Sequence, residues 1–223
     1  MKVKNIPKIK AVDFFCGGGG MSYGMQNSGI QIVAGIDYEE NCRATYEANI
    51  KKAKFIKADV FELKEEELEK TLKLKRNDDE LLLIGCSPCQ FWSIINTDKK
   101  KSQESKNLLV EFERFVRYFN PGLDFNYVIE QPFVANASNY GVPQNRKRFT
   151  LIANRITSDE LEPIKANKKL NVRDVIGEEN GFIKIKAGHK DESDFNHSVP
   201  NVSDLTLKRL KKVKKDGGNR LSF

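Results

Sequence analysis

The amino-acid sequence reads as an α/β protein built on a doubly wound, mostly parallel sheet. Three observations lead there. Short apolar, β-prone runs alternate with stretches of helical periodicity from Ile9 to about Asn154. The fourth such run, "DELLLIG", is apolar along its length, as a central parallel strand covered on both faces must be. Polar residues and glycines gather directly after the runs, where an open parallel sheet presents its ligand-binding carboxyl ends. Alternation of this kind calls for β-α units with crossover connections.

The elements follow in order. "IKAVDFF" is the first strand, and the glycine cluster "CGGGG" leads into the helical "MSYGMQNSG", closed by Gly29. "IQIVAGID" is the second strand, and "YEENCRATYEANI" is helical in pattern. "KFIKADV" is the third strand, with the mixed-charge helix "FELKEEELEKTLKLK" behind it. After "DELLLIG" and a polar loop, "SKNLLVEFERFVRYF" puts Leu108, Leu109, Phe112, Phe115, Val116 and Phe119 on a helical face. "DFNYVIE" is a fifth strand ending in Glu130, and "RFTLIAN" is a further one. Residues 1–155 therefore form a doubly wound α/β domain and 156–223 an irregular extension. In the extension "LNVRDVIG" reads as a short helix, "FIKIKAG" as a short strand and "SDLTLKRLKKVKK" as a basic helix.

Composition narrows the class. With 223 residues, 39% hydrophobic and 31% charged, the chain suits one globular domain or one and part of a second. No apolar run reaches membrane-spanning length, and the N-terminus does not read as a signal peptide. A cytoplasmic location with reduced thiols is the expectation. The net charge of +7 fits a polyanionic partner and fits equally a solvated lysine-rich surface, and the run Lys208 to Lys215 carries the same two readings.

Chemistry-bearing residues fall at the strand ends. After strand one, Phe15-x-Gly17-x-Gly19-Gly20 lets the backbone turn and approach a ligand closely. It is not a G-x-G-x-x-G loop, and alone it reads equally as a tight structural turn. Asp37, at the end of strand two, suits ribose hydroxyls, Tyr38 beside it can stack on an adenine, and Asp59, after strand three, can accept from an exocyclic amine. One such acid is commonly a helix cap, but three strand ends in series describe a nucleoside-cofactor pocket. "GCSPCQ" follows strand four. Cys86 and Cys89 are spaced C-x-x-C, which fits a redox pair, half a zinc site or one reactive thiol beside a bystander. His189 and His197 complete no zinc pattern. Cys16 and Cys42 read as small packed thiols.

Taken together, these segments resemble the DNA cytosine-5 methyltransferases. "DFFCGGGG", beginning at Asp13, is similar to their cofactor loop, and "GIDYEENCRATYEAN" to their ribose-binding segment. "ADV", with Asp59 and Val60, is similar to the adenine-contacting segment, "SPCQFWS" to the P-C-Q nucleophile loop, "VIEQP" to E-N-V and "QNRKRF" to Q-x-R-x-R. The order holds over roughly Ala11 to Asn154. The resemblance implies a Rossmann-like methyltransferase fold, S-adenosyl-L-methionine as cofactor and double-stranded DNA as substrate, in the setting of restriction–modification. It implies cofactor contacts from Asp13, Phe15, Gly17, Gly19, Gly20, Asp37, Tyr38, Asp59, Val60 and Pro88. It implies Cys89 as nucleophile, Glu130 as the acid at cytosine N3, Arg146 at O2, and Gln90, Ser93 and Arg148 as supporting residues, with the target base flipped out of the duplex. By the same resemblance Cys86 is a packing residue, and Trp92 either faces DNA or anchors its loop.

Three departures qualify it. "EQP" stands for E-N-V, so Gln131 replaces an asparagine. Only 13 residues separate Glu130 from Gln144, where the family carries a helix and a strand. One β-α unit is therefore expected to be missing, which either opens a gap in the sheet or sets "RFTLIAN" directly beside strand five. Last, the target recognition domain and the final motifs are expected outside these residues, so the chain reads either as one part of a split methyltransferase whose second subunit carries them, or as a truncated or degenerate remnant. The alternative is a non-catalytic subunit that binds cofactor or a partner chain.

Overall fold

Strand β1 (Lys10–Phe14) is central to a four-stranded parallel sheet of order β3-β2-β1-β4. The computed structural model describes residues 8–87, 99–121, 129–157, 161–190, 192 and 198–213, with backbone alone at 99–106 and 129–132. β1 pairs with β2 (Gln31–Asp37) and with β4 (Leu81–Gly85), and β2 pairs with β3 (Lys54–Lys57). Strand order thus runs outward from β1 through β2 to β3, then jumps back to β4 on the other side. That reversal makes a topological switch between β1 and β4, the place where open α/β sheets bind ligands.

Residue alternation along β1 sorts the two faces. Val12 and Phe14 join Ile36, Val60, Leu63, Leu68, Phe115 and Phe119 on one face, beneath α3 (Glu65–Leu72) and α4 (Lys99–Phe119). Ala11 joins Cys16, Ile32, Tyr46, Ile50, Phe55 and Ile84 on the other, beneath α1 (Gly20–Asn27) and α2 (Arg43–Asn49). Helices on both faces give the doubly wound arrangement, and they explain why β1 is buried from Ala11 to Phe14.

Two sequence expectations about helices change. Leu109 is half exposed, because the buried stripe of α4 runs Leu108, Phe112, Phe115, Phe119 at spacings of four, three and four. Leu109 lies about 100° around the helix from Leu108, off that stripe. The helix read from Phe61 onward begins only at Glu65, because the Asp59 carboxylate accepts from the Phe61 amide and holds a turn ahead of it.

The strand β5 (Ile129–Asn136) pairs with β6 (Lys147–Asn154) in a separate two-stranded sheet. Of the two arrangements the short spacing allowed, "RFTLIAN" beside strand five is the one observed. Glu130 does not end its strand. It is the second of eight residues. Pro132 looks like a breaker in the sequence, but a two-stranded ribbon has only edges, where proline is tolerated.

The chain divides into two compact units, Met1–Ile129 with Ala153–Asp159, and Glu130–Ile152 with Glu160–Phe223. In the second, "LNVRDVIG" forms one 3-10 turn, Val172–Asp174, closed by reciprocal bonds between Asn171 and Asp174. "FIKIKAG" forms no strand. Phe182 and Ile183 stay exposed, so its alternation has no buried face to fill. α5 (Asp204–Lys212) is the basic helix, capped where the Ser203 hydroxyl accepts from the Thr206 amide.

Candidate active site

The carboxyl ends of β1, β2, β3 and β4 are tied to one another by main-chain bonds. The Cys16 amide donates to the Ile36 carbonyl at 3.1 Å, and the Ala58 amide to the Asp37 carbonyl at 3.0 Å. The Cys86 amide donates to the Phe14 carbonyl at 3.3 Å, which roots the loop after β4 against the loop after β1. These two loops flank the topological switch.

Asp37 organises the centre of this edge. Its Oδ2 accepts from the Gly17 amide at 2.8 Å and its Oδ1 from the Glu39 amide at 2.9 Å. Each oxygen keeps a lone pair, so the carboxylate can still receive a pair of hydroxyl donors. The glycine loop is shaped for close approach. Phe15 and Gly17 hold φ of 59° and 51°, and a Cβ built on Gly17 or Gly20 meets nothing within 4 Å. Gly18, Gly19 and Gly20 line a small hollow with Tyr23 and Asn49. Tyr38 is exposed beside Asp37, as a stacking platform must be. Asp59 holds its own turn at the end of β3. Val60 differs from the rest. Its side chain is in the core, so only its backbone is open to contact. The open glycine surface and the half-used carboxylate fit an adenosine-bearing cofactor.

Beneath the loop lies a buried polar chain in which Asp13, put forward by its motif as a cofactor contact, is joined by Ser22 and Tyr46. Ser22 Oγ donates to Asp13 Oδ2 at 2.6 Å and lies 3.1 Å from the Tyr46 hydroxyl, and Asp13 and Ser22 are fully buried. Asp13 Oδ1 accepts no hydrogen bond among the described residues. Asp13 is therefore a support for the loop. Burial raises its carboxyl from 3.8 to about 6, against the opposing pull of Ser22. Because the folded carboxyl titrates above the unfolded one, the folded chain holds a proton that the unfolded chain releases. Stability should fall as pH rises from about 4 to about 6, by about 3 kcal/mol from this group. In Asp13→Asn that slope should vanish. Denaturant unfolding at pH 4, 5, 6 and 7 checks it, and parallel curves for the two proteins would refute the reading.

The remaining site residues divide clearly. Burial also raises the thiols of Cys16 and Cys42, which keeps both protonated and poor as nucleophiles. Cys86 is exposed at the end of β4, contrary to the packing role expected of it, because Gly85 carries the chain out of the core there. Pro88, Cys89, Gln90, Trp92, Ser93 and His197 lie outside the described residues, as does the side chain of Glu130. Arg146 and Arg148 are exposed around the start of β6, where the Arg146 carbonyl accepts from the Ala137 amide. Among the described residues no cluster of three His, Cys, Asp or Glu could hold a metal, and no helix is long and apolar enough to cross a membrane.

Arg114 is a second residue the sequence reading passed over. From α4 its guanidinium donates to the carbonyls of Val60 at 2.8 Å and Leu63 at 3.0 Å, and pairs with Glu65 and Glu111. It pins the turn that follows Asp59. An arginine on the half-buried flank of an apolar helix was the available signal.

Comparison with known proteins gives these features a family. The chain is 30% identical to the type II methylase M.HgiDII of Herpetosiphon aurantiacus, over 89% of this chain and 62% of that protein. It is 30% identical to the type II methyltransferase M.MthTI of Methanothermobacter thermautotrophicus, over 74% of this chain and 55% of the relative. The chain thus spans less than two thirds of either. Among solved structures it is similar to a DNA modification methyltransferase encoded within an E. coli prophage, with TM-score 0.54, 20% identity, and coverage of 66% of this chain and 46% of that one. That likeness is one of fold, the Rossmann-like fold of S-adenosylmethionine-dependent methyltransferases. The family model described as C-5 cytosine-specific DNA methylase matches residues 9–125 and 123–219. With its glycine loop, its strand-end acids and its P-C-Q loop in this order, the chain belongs to the C-5 cytosine-specific DNA methylase family.

Proposed function

We propose that the chain supplies the cofactor-binding and nucleophile-bearing part of a DNA cytosine-C5 methyltransferase of the restriction–modification type, acting in the cytoplasm on double-stranded DNA. The observation that carries this is the Asp37 carboxylate gripping the Gly17 amide, which joins the loop after β2 to the loop after β1 beside the topological switch. It builds one ligand edge out of the loops after β1, β2 and β3, beside the root of the P-C-Q loop.

S-adenosylmethionine, when bound, supplies an electrophilic methyl group. Asp37 would hold the ribose hydroxyls, Tyr38 and the backbone at Val60 the adenine, and the backbone of Gly17 to Gly20 the amino-acid end. Asp13 and Phe15 shape the loop, and Pro88 would add a cofactor contact. The chain's own chemistry is addition and elimination. The Cys89 thiolate adds to C6 of a flipped cytosine, and the electron pair displaced from the C5–C6 bond makes C5 a nucleophile. After C5 gains the methyl group, its proton leaves to a base and the Cys89–C6 bond breaks. Arg146 would stabilise charge on O2, while Gln90 and Arg148 would hold the loop and the nucleic acid. A proton at N3 is also needed, the role for which the sequence put forward Glu130.

Calorimetry with S-adenosylmethionine is the test. Binding should occur and weaken about 10-fold or more in Asp37→Ala, the loss expected from removing one charged acceptor. No binding, or equal binding by the variant, would sink the proposal. In any form of the chain that transfers labelled methyl groups to DNA, Cys89→Ser should remove the transfer, and transfer that survives rejects Cys89. The reading as a non-catalytic subunit expects binding without transfer under every pairing.

A further inference from the structure

We infer that the missing β-α unit is absent from the chain just ahead of β5 and not after Glu130, and that Glu130 is a hairpin residue rather than the acid at N3. The inference deepens the proposed function and rests on it.

The first observation is a break in the family match. The two matched stretches end and begin on the same residues, 9–125 and 123–219. Stretches that were continuous in the family would have matched as one. At 123–125 the chain therefore passes to a part of the family sequence that is not the direct continuation of what came before. Glu130 lies after that join, in the stretch that runs unbroken through β5, Gln144, Arg146 and β6.

The second observation is where Glu130 sits in its strand. An acid serving a ligand in an open parallel sheet stands at a strand's carboxyl end. Glu130 is followed by six further residues of β5, and the strand is hydrogen-bonded to β6.

The third is the use of the 13 residues from Gln131 to Pro143. Residues to Asn136 complete β5, Ala137–Tyr140 form a 3-10 turn, and Gly141, in the left-handed region, starts the connection to Gln144. This is a finished hairpin, with its turn held where the Asn136 amide group donates to the Asn145 side-chain oxygen at 2.7 Å. Nothing is cut short within it. The missing unit therefore belongs before Glu130, and the sequence-based placement after it is what the structure revises. On this account β4 is an edge of the parallel sheet.

The chemical consequence concerns electron balance. When the thiolate adds to C6, the displaced pair is spread over the ring toward N3 and O2. Without a proton delivered at N3 that charge persists, and the addition reverses by expelling the thiolate. The chain alone binds cofactor and does not turn over.

Two measurements test this on the whole chain. In an edge strand every second amide points away from its single neighbour. Native-state hydrogen exchange should therefore show alternating protection from Leu81 to Gly85, and uniform protection would overturn the inference. The second uses the chain fused to the C-terminal remainder of the Herpetosiphon relative, with and without that relative's β-α unit inserted at residue 122. Labelled methyl transfer to DNA should rise at least 100-fold with the insert and stay within twofold in Glu130→Gln of that fusion. Transfer without the insert, or transfer that Glu130→Gln abolishes, overturns it. Should neither fusion fold, the exchange pattern decides. Failure of S-adenosylmethionine to bind would sink the proposed function and leave the exchange result standing.

Discussion

Gly35→Ala should cost the domain about 3 kcal/mol, at the upper end of overpacking penalties. A Cβ at Gly35 falls 2.3 Å from Cζ of Tyr46 and 2.5 Å from its hydroxyl oxygen. Neither partner can yield cheaply. Gly35 is in the middle of β2, and Tyr46 is fully buried, with a second glycine, Gly19, pressed on its ring edge at 3.0 Å from the built Cβ. Moving the ring also pulls its hydroxyl from Ser22, and through Ser22 disturbs Asp13 beneath the glycine loop. The melting temperature should drop by about 6–12 °C for a chain of this size. Cofactor affinity should drop with it. Gly35→Ala with Tyr46→Leu should recover part of the stability and none of the affinity. Denaturant unfolding and calorimetry check both, and a loss under about 1 kcal/mol would show that the ring can move aside.

Arg114→Ala should be nearly as damaging, at about 2–4 kcal/mol, because it strands several groups at once. The carbonyls of Val60 and Leu63 lose a charged donor, and Glu65 and Glu111 lose their shared cation. Arg114→Lys should restore less than half, since an ammonium cannot reproduce a fork that reaches two carbonyls and two carboxylates. Weaker cofactor binding should accompany the loss, because the turn after Asp59 is what Arg114 holds. Equal stability of the Lys and wild-type chains would show that charge matters and geometry does not.

The fold was legible where pattern and burial agree. The alternation of strands with helices fixed a parallel sheet, whereas "DELLLIG", read as a central strand, is a strand at the end of the order β3-β2-β1-β4, its first three residues only half buried. The ligand edge was legible too, because glycines and acids at strand ends leave a mark in the sequence. Reading failed where a residue's role depends on a partner distant in the chain. Leu109 looks as apolar as Leu108, and only helix phase separates them. "FIKIKAG" alternates properly, yet its Phe182 and Ile183 remain exposed. Glu130 before Gln131 and Pro132 imitates a strand end, yet the ribbon runs on. Ser22 and Tyr46 carried no motif at all, although a glycine inside a strand is itself a hint of close approach, and Gly35 was that hint.

Helix α4 carries an evolutionary constraint from two sides at once. Its Phe112 ring lies where a side chain at Gly85 would stand, at the root of the P-C-Q loop, and stacks edge-on against Phe14, at 5.4 Å between centroids. Two residues on, Arg114 secures the loop of Asp59. A single helix thus sets the backbone on the nucleophile side and on the adenine side. Drift in its inner face would be read by selection as a loss of two functions at once, so its inward residues should change only in company with Gly85 and the turn after Asp59. The exposed Val110, Glu113 and Arg117 of the same helix remain free to vary.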